Sequence, residues 1–372
     1  MKKKTILIFA LSRSPWIGGI YYRKNIIHML LTNENITSKY KIIILTNDKY
    51  KNVFDVFNNK VKVLSCSDNT GVIGAMFQAM ICCIKNRVKY VFPLRPFSFL
   101  KIVGIVPISW IADFQHCHYP KFFDEEEIKK RNADFTQIAK AKTPLVLSSN
   151  SALEDFRKYY SSDRKNVFVV HFTSYIEDEL QKINPVKEQS VLDKYGLHKG
   201  DYAVISNQFW KHKNHMVVLA AIKILRQKDF RKNFQFVFTG ELSDRRNPEY
   251  IDEIKLLLDD ANIKDSVKVL GFVDRVSQLC VMNNAAFLIQ PSLFEGWGTV
   301  VEDGKVLNKR MILSDIAVHK EQMNANCVLF KKEEPEDLAR VINEMLAKDG
   351  KSLEEKIDLS EQYSKVFEEI FV

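Results

Sequence analysis

The chain has 372 residues, of which 46% are hydrophobic and 27% are charged. These values exclude a disordered or fibrous chain, and the length suffices for two domains of ordinary size. The net charge of +9 is uneven, because residues 1–185 carry 28 Lys and Arg against 16 Asp and Glu, whereas residues 186–372 carry 27 against 30.

Short β-rich runs alternate with helical patterns along the first half of the chain, which predicts a parallel sheet with helices on both faces. Fully buried parallel strands are near-continuous apolar runs, and most of these runs fit that description. The predicted strands are Thr5–Leu11, Lys41–Leu45, Val61–Leu64, Tyr90–Phe92, Pro144–Leu147 and Val167–Val170. The predicted helices are Tyr21–Leu31, Thr70–Lys85, Asp124–Ala141 and Ser151–Tyr160.

The pattern stops in the polar stretch from Ile176 to Gly196, where we place a domain boundary, and then resumes. The later predicted strands are Tyr202–Ile205, Phe234–Phe238, Val267–Leu270, Phe287–Ile289 and Met311–Ser314. The later predicted helices are Met216–Gln227, Glu249–Leu258, Arg275–Asn283, Thr299–Leu307 and Leu353–Phe371. We therefore predict an α/β protein with two doubly wound domains, residues 1–185 and 186–352, and a C-terminal segment, residues 353–372, that crosses back to the first. Two such domains are expected to face a central cleft at the carboxyl ends of their strands.

The most informative loop lies between the predicted strand Phe287–Ile289 and the helix that starts at Thr299. It contains Phe294-Glu295-Gly296-Trp297-Gly298. The two glycines let the backbone approach a ligand, and the free N–H groups of a helix start can bind a phosphate. The Glu295 carboxylate can accept hydrogen bonds from sugar hydroxyls. Glu302 has a second interpretation, as the partner of Thr299 in a helix capping box.

A basic loop, Ser206 to His215, follows the predicted strand Tyr202–Ile205. Its lysines, Lys211 and Lys213, could neutralise a diphosphate, and one charge-assisted contact contributes about 1.5–3 kcal/mol. The alternative is a solvated basic loop.

Two segments of the first half carry weaker signals. Gly18-Gly19 follows the first strand, but it is not a GxGxxG motif, so a dinucleotide oxidoreductase is disfavoured, and a plain turn remains an alternative to a phosphate or sugar contact. Asp113 and His116 follow an apolar strand and are candidate substrate contacts. His116 and His118 are two residues apart, but no third or fourth ligand has suitable spacing, so we expect no metal site.

Charge and cysteine content bear on partners and location. The basic first half suits an anionic membrane or a phosphorylated substrate, although solvated lysines would give the same count. Nucleic acid is disfavoured, because the basic residues are scattered and form no recognised motif.

The six cysteines form no CxxC pair, so reduced thiols are expected. The run Ile6–Leu11 is too short for a signal peptide, and Ile102–Ala112 is too short for a membrane span. We expect a cytoplasmic protein that attaches peripherally to the inner face of the membrane.

These segments resemble family 4 of the retaining GT-B glycosyltransferases, also called group 1 glycosyltransferases. The resemblance is strongest from Gly271-Phe272-Val273 through Gln290–Trp297 to Ile312–Asp315, and it is clear in Asn207–His215. Asp113–His116 and Ser148–Asn150 give weaker support. The resemblance implies the GT-B architecture of two Rossmann-like domains, with the nucleotide-sugar donor held by the C-terminal half and the acceptor by the N-terminal half. It implies no metal and no other cofactor.

The resemblance also implies roles for individual residues. Glu295 would hold donor-sugar hydroxyls, and Lys213 would meet the phosphates. Gly18 and Gly19 would face the diphosphate from the other domain. The remaining implied donor contacts are the backbone of Gly296, Trp297, Gly298, Thr299 and Val300, and Phe272 and Val273 at the border of the base.

Three positions depart from the family pattern. The second glutamate of the family motif falls on Asp303, which we expect to bind the ribose while Glu302 faces outward or packs. The usual arginine before the phosphate lysine is Gln208, so Lys211 is expected to supply the missing charge. The His-Asp pair of the family reads Ala112-Asp113, which leaves any histidine role to His116 or His118.

The resemblance implies a retaining glycosyltransferase that moves a hexose-type sugar to a glycan or lipid-linked acceptor, as in cell-surface polysaccharide or lipopolysaccharide synthesis. Two alternatives remain open: a GT-B-like nucleotide-sugar epimerase, and a non-catalytic nucleotide-sugar binding module.

Overall fold

The computed structural model describes residues 3–11, 18–68, 71–97, 100, 102–160, 163–228, 230–347 and 359–371. The chain divides into two compact units. The first comprises Met1–Phe114, Glu126–Tyr175 and Asp358–Val372, and the second comprises Gln115–Glu125 and Ile176–Ile357. The division falls shortly before the boundary at 185 that the sequence suggests, because the helix Glu177–Leu180 already packs against the helix Arg275–Asn284 of the second unit.

The first unit is built on parallel strands in the order β3-β2-β1-β4-β5. Side chains such as Ile42, Ile43 and Ile44 are buried on both faces of this sheet, as expected for strands covered by helices on both sides. The strands are β1 (Lys4–Ala10), β2 (Tyr40–Asn47), β3 (Lys62–Cys66), β4 (Val88–Phe92) and β5 (Val106–Pro107). A smaller parallel sheet contains β6 (Ser109–Ile111), β7 (Leu145–Leu147) and β8 (Val167–Val169). The helices are Gly18–Thr32, Glu34–Lys39, Val72–Lys85, Glu125–Lys140 and Asn150–Tyr159, with a 3-10 helix at Asp48–Phe57.

The end of the chain, Asp358–Val372, belongs to the first unit. Residues 353–358 of the predicted last helix, and residue 70, where another predicted helix starts, lie outside the described residues. The rest forms two short helices, Ser360–Ser364 and Val366–Ile370. Asn33 Nδ2 donates to Glu368 Oε1 at 3.0 Å, and the ring of Phe371 lies 5.3 Å from that of Tyr90.

Within its described residues, the second unit has six parallel strands in the order β11-β10-β9-β12-β13-β14. This is a doubly wound order, and it reverses between the neighbouring strands β9 and β12. The strands are β9 (Tyr202–Ser206), β10 (Gln235–Thr239), β11 (Val267–Val269), β12 (Phe287–Gln290), β13 (Met311–Ser314) and β14 (Cys327–Phe330). The helices are Gln115–His118, Glu177–Leu180, Pro185–Tyr195, His215–Gln227, Pro248–Leu258, Arg275–Asn284, Thr299–Val306, Ala317–Gln322 and Pro335–Ala347. Short 3-10 helices lie at Pro120–Phe122, Lys211–Lys213 and Lys264–Ser266.

No helix of the described residues is both long enough and apolar enough to span a bilayer.

Gly240, which follows β10, holds the backbone of the neighbouring loop close. Its φ is +115°, and an added Cβ would clash with the Asn207 carbonyl and come within 2.9 Å of Gln208 Cα. We therefore expect Gly240→Ala to destabilise the second unit by about 2 kcal/mol or more, measured by urea unfolding. Gly71→Ala is the control, because nothing lies within 4 Å of its added Cβ, and its effect is expected to stay below about 0.5 kcal/mol. Equal effects of the two substitutions would show that the close approach at Gly240 carries no strain.

Candidate functional site

Two loops leave the second sheet side by side where its strand order reverses. Asn207, directly after β9, and Gln290, the last residue of β12, exchange two hydrogen bonds. Asn207 Nδ2 donates to Gln290 Oε1 at 2.9 Å, and Gln290 Nε2 donates to Asn207 Oδ1 at 3.0 Å. The Leu293 N–H also donates to the His212 carbonyl at 2.8 Å. These bonds join the two loops at the switch point of the sheet, which is the usual ligand-binding position of open α/β folds.

Glu295 and Lys213 form an ion pair across the two loops. Lys213 Nζ lies 2.6 Å from Glu295 Oε1, and the two side chains are only 15% and 9% exposed. The same oxygen accepts from Ser292 Oγ at 2.6 Å and from Gln290 Nε2 at 3.2 Å. Glu295 Oε2 accepts no hydrogen bond from the described residues, and the ammonium of Lys213 has two further N–H groups. The pair therefore has both an acceptor and donors left for a ligand.

The charge state of this pair follows from its surroundings. Burial by itself raises the pKa of Glu295, but the Lys213 ammonium together with the neighbouring His212 and His319 outweighs burial and lowers the pKa to about 2. Burial, with a smaller contribution from Lys213, lowers the pKa of His212 to about 3, and burial lowers the pKa of His319 to about 4. At neutral pH the site therefore contains one carboxylate, one ammonium and two uncharged imidazoles.

These buried histidines make the stability of the protein depend on pH. Burial also lowers the pKa of His215 to about 3, and its ring stacks 4.2 Å from that of Phe209. Because the pKa of histidine in an unfolded chain is about 6.5, the uncharged histidines stabilise the fold fully above that pH. This contribution decreases as the pH falls from 6.5 toward the folded values of 3–4.

We expect the free energy of unfolding, measured in urea, to decrease by up to about 2 kcal/mol per histidine between pH 6.5 and 5. The variant His215→Phe keeps the aromatic stack and should lose about a third of this decrease. An unchanged pH dependence in that variant would contradict the assignment.

The helix Thr299–Val306 begins at the end of the Glu295 loop, and Gln322 holds its start. The Gly298 N–H donates to Gln322 Oε1 at 3.1 Å, and Gln322 Nε2 donates to the Gly298 carbonyl at 3.0 Å. The predicted capping box is wrong, because Gly298 rather than Thr299 is the N-cap. Glu302 is instead buried, accepts from Gln322 Nε2 at 2.8 Å and lies 2.8 Å from Lys305 Nζ. The first N–H groups of this helix have no partner within it, as at any helix start.

Asp303 is fully buried and paired with Arg275, which the sequence did not indicate as a site residue. Arg275 Nη1 and Nη2 donate to the two Asp303 oxygens, both at 2.7 Å. Arg275 Nη1 also lies 3.1 Å from Gln278 Oε1, and Gln278 Nε2 donates to Ser206 Oγ at 2.7 Å. This network connects Asp303 to the end of β9. The ribose role of Asp303 stays a prediction.

Other predicted donor contacts have partners outside the Glu295–Lys213 pair. The Lys211 N–H donates to Asp244 Oδ2 at 2.9 Å, and its Nζ lies 3.6 Å from Glu249 Oε1. Gln208 Oε1 accepts from the Glu241 N–H at 2.9 Å. Phe272 is 61% exposed, whereas Val273 is buried. Trp297 and Gly298 are buried, and Gly296, Thr299 and Val300 are half-buried.

The predicted residues of the first half are divided between the units. Gly18 and Gly19 begin the helix Gly18–Thr32 of the first unit, where Asp113 lies 3.6 Å from Arg131 Nη1. His116 and His118 belong to the second unit. His116 is buried near Phe123, and the exposed His118 ring lies 5.0 Å from that of Phe294, beside Glu295.

Within the described residues, no three His, Cys, Asp or Glu side chains are grouped so that they could hold a metal ion.

The segment that carries both loops, residues 190–363, matches the model of the family described as glycosyl transferases group 1. A solved structure of a glycosyltransferase from Rickettsia africae ESF-5 is similar over 100% of this chain and 94% of its own, with 16% identity and a TM-score of 0.67. The fold is GT-B. None of the curated protein sequences matches this chain.

Two further solved structures have a similar fold, and one of them is that of an epimerase. Anabaena Alr3699/HepE in complex with UDP-glucose is similar over 99% of this chain and 95% of its own, with 12% identity and a TM-score of 0.66. The UDP-GlcNAc 2-epimerase from Methanocaldococcus jannaschii is similar over 99% of both chains, with 15% identity and a TM-score of 0.57. The GT-B fold is therefore compatible with both transfer and epimerisation, and the distinction rests on the site.

Proposed function

We propose that the chain is a glycosyltransferase that takes a sugar from a nucleotide-sugar donor bound by its second unit. The observation that carries this proposal is the buried Lys213–Glu295 pair at the switch point between β9 and β12. A cation beside a carboxylate, both with unused hydrogen-bonding capacity, suits a ligand that presents phosphate oxygens and sugar hydroxyls together. The match of residues 190–363 to the group 1 glycosyl transferase model supports the same conclusion.

The proposed chemistry assigns each group to one part of the donor. Glu295 Oε2 accepts from a sugar hydroxyl and orients the ring. Lys213 and the N–H groups at the start of the helix Thr299–Val306 stabilise the diphosphate as it leaves with developing negative charge. Asp303 is the proposed ribose contact. No metal ion or other cofactor is needed in this scheme, because the protein supplies the positive charge itself.

The outcome at the anomeric carbon and the acceptor are proposed from the family resemblance. Transfer retains the anomeric configuration, with the leaving phosphate helping to remove the proton of the acceptor hydroxyl on the same face. The sugar is a hexose, and the acceptor is a glycan or a lipid-linked glycan of the kind used in cell-surface polysaccharide synthesis. The first unit is the proposed acceptor side, with Asp113 as a candidate contact.

The test begins with a thermal-shift screen of UDP-, GDP-, ADP- and dTDP-sugars. A ligand at about 100 times its dissociation constant adds about 2.7 kcal/mol to the free energy of unfolding. The stabilising donor is then incubated with lipid-linked oligosaccharide acceptors, and release of the nucleoside diphosphate is followed together with the product by NMR. We expect release that depends on acceptor and a product with the donor's anomeric configuration.

Two outcomes would contradict the proposal. An isomerised nucleotide sugar formed without any acceptor would show an epimerase. Donor binding in calorimetry without release of a nucleoside diphosphate over long incubation, with all acceptors, would show a binding module.

A further inference from the structure

A basic pocket lies at the edge of the first unit's sheet where the strands begin. It has a volume of about 860 Å³ and is lined by Lys3, Lys41, Lys60, Lys85 and Arg87 together with uncharged residues, and no acidic residue lines it. Ligands of open α/β folds bind at the opposite edge, where the strands end. The proposed glycosyl transfer therefore does not account for this pocket.

The cations of the pocket come from adjacent strands of the sheet. Lys3 precedes β1, Lys41 is the second residue of β2, Lys60 lies just before β3, and Arg87 precedes β4. Because the strand order is β3-β2-β1-β4, these four starts are neighbours in space. The strand order thus brings basic residues that are far apart in the sequence close together on one surface.

These cations are exposed and are not neutralised by the described part of the chain. All five side chains are exposed, and none of them forms an ion pair with a described carboxylate. Arg87 has φ +51°, a left-handed conformation in which Gly or Asn is usual. The charges are therefore available to an anionic partner.

Exposed apolar side chains lie on two segments of the same unit, the helix that ends at Lys85 and the residues just before β5, the strand that pairs with β4. Phe77 and Ile84 are each 66% exposed on the helix Val72–Lys85, which ends at a pocket residue. Ile102 and Val103 are 87% and 49% exposed, close before β5. These are four of the six large hydrophobic residues exposed in the described part of the first unit. The two segments lie on the same face of the sheet, because Cys83 of the helix and Leu100 and Ile105 around the second segment pack in one core cluster.

We propose that this docking surface, the basic pocket with Phe77, Ile84, Ile102 and Val103, binds the protein to an anionic lipid bilayer. A soluble phosphate compound would need the cations alone. Cations beside exposed apolar groups match a bilayer interface, where anionic headgroups lie next to acyl chains.

The test measures binding to vesicles of phosphatidylcholine with about one third phosphatidylglycerol, by cosedimentation at low salt. Each basic residue near an anionic surface strengthens binding by about fivefold. We expect the variant Lys41→Gln/Lys60→Gln/Arg87→Gln to lower the partition coefficient by about 100-fold. The control Lys182→Gln/Lys228→Gln/Lys264→Gln removes three exposed lysines of the second unit and the same net charge, and it should bind nearly as well as the unmodified chain.

A second variant, Ile84→Ser/Ile102→Ser, tests the apolar part and should weaken vesicle binding by about tenfold, including at high salt where charge contacts are screened. Equal loss in the lysine control would overturn the proposal, because net charge alone would then explain binding. Retained vesicle binding in the first variant would also overturn it. So would tight calorimetric binding of inorganic diphosphate that the first variant loses, if the unmodified chain does not bind the vesicles. These measurements do not involve sugar transfer, so their outcome does not depend on whether the proposed activity is correct.

Discussion

Replacing Glu295 with glutamine is expected to lower kcat/KM for sugar transfer by at least about 100-fold while the chain still folds. Glutamine keeps the shape of the side chain and can still accept from Ser292 and Gln290. It removes the negative charge that holds Lys213 Nζ at 2.6 Å. A mispositioned ammonium stabilises the leaving diphosphate less, and loss of one such electrostatic contact costs about 10²–10³ in rate. Initial rates with the donor identified by the screen measure the effect, and far-ultraviolet circular dichroism checks the fold.

Exposed Glu253 provides the matched control, since Glu253→Gln makes the same chemical change on the helix Pro248–Leu258 of the same unit. Its rate should stay within about twofold of the unmodified chain. If Glu295→Gln retained a similar rate with the true donor, the site assignment would be wrong.

Substitutions of Lys213 distinguish the contribution of the Lys213–Glu295 pair to stability from its contribution to activity. Lys213→Met alone leaves the Glu295 carboxylate, 9% exposed, without its cation, so we expect both the rate and the free energy of unfolding to fall. The double variant Lys213→Met/Glu295→Gln removes both charges and should regain much of the lost stability. Its transfer rate should remain as low as that of Lys213→Met. Recovery of activity together with stability would indicate that the pair is structural only.

Most helix and strand positions follow from signals within a few residues. The helix Thr299–Val306 and the strand β13 agree with the sequence pattern almost to the residue, because apolar spacing and end signals are local. The helix Pro185–Tyr195 was missed, although Asn184 caps it and Gly196 ends it with φ +57°. Most of its residues are polar, so the two that it buries, Val191 and Leu192, do not form a recognisable helical pattern of apolar residues. The helix Pro335–Ala347 was also missed, even though Leu338, Val341, Ile342 and Met345 have helical spacing and are buried.

The candidate site was predictable only as separate loops. Lys213 and Glu295 could each be named from the sequence, because each follows a buried strand in a loop of suitable chemistry. Their pairing could not, since they are 82 positions apart and meet only because β9 and β12 are neighbours. The bonds between Asn207 and Gln290 depend on the same adjacency.

At Glu302, by contrast, a local sequence pattern predicted a contact that the structure does not contain. A standard helix-start pattern predicted a capping box at this residue. The side chain of Gln322, 24 positions away from Gly298, holds the start of the helix instead.

Removing the Arg275 guanidinium is expected to have the largest effect on stability. Asp303 is 0% exposed, and both of its oxygens accept from Arg275 at 2.7 Å. Arg275→Met would leave a buried carboxylate without a cation, which costs about 3–5 kcal/mol. Urea unfolding monitored by tryptophan fluorescence measures this loss. The double variant Arg275→Met/Asp303→Asn should recover part of it, because no buried charge then remains unpaired.

Arg340 supplies the comparison, because it also pairs with an aspartate but is 55% exposed. Exposed ion pairs contribute little to stability, so Arg340→Met should lower the free energy of unfolding far less than Arg275→Met does. Similar effects of the two methionine variants would mean that burial of the Arg275–Asp303 pair does not matter.

The double variant Arg275→Met/Asp303→Asn also tests the ribose contact, because an uncharged amide then replaces the Asp303 carboxylate. If Asp303 binds the ribose, KM for the donor should rise in the double variant even where stability has recovered. An unchanged KM would restrict the pair to holding the helices Arg275–Asn284 and Thr299–Val306 together.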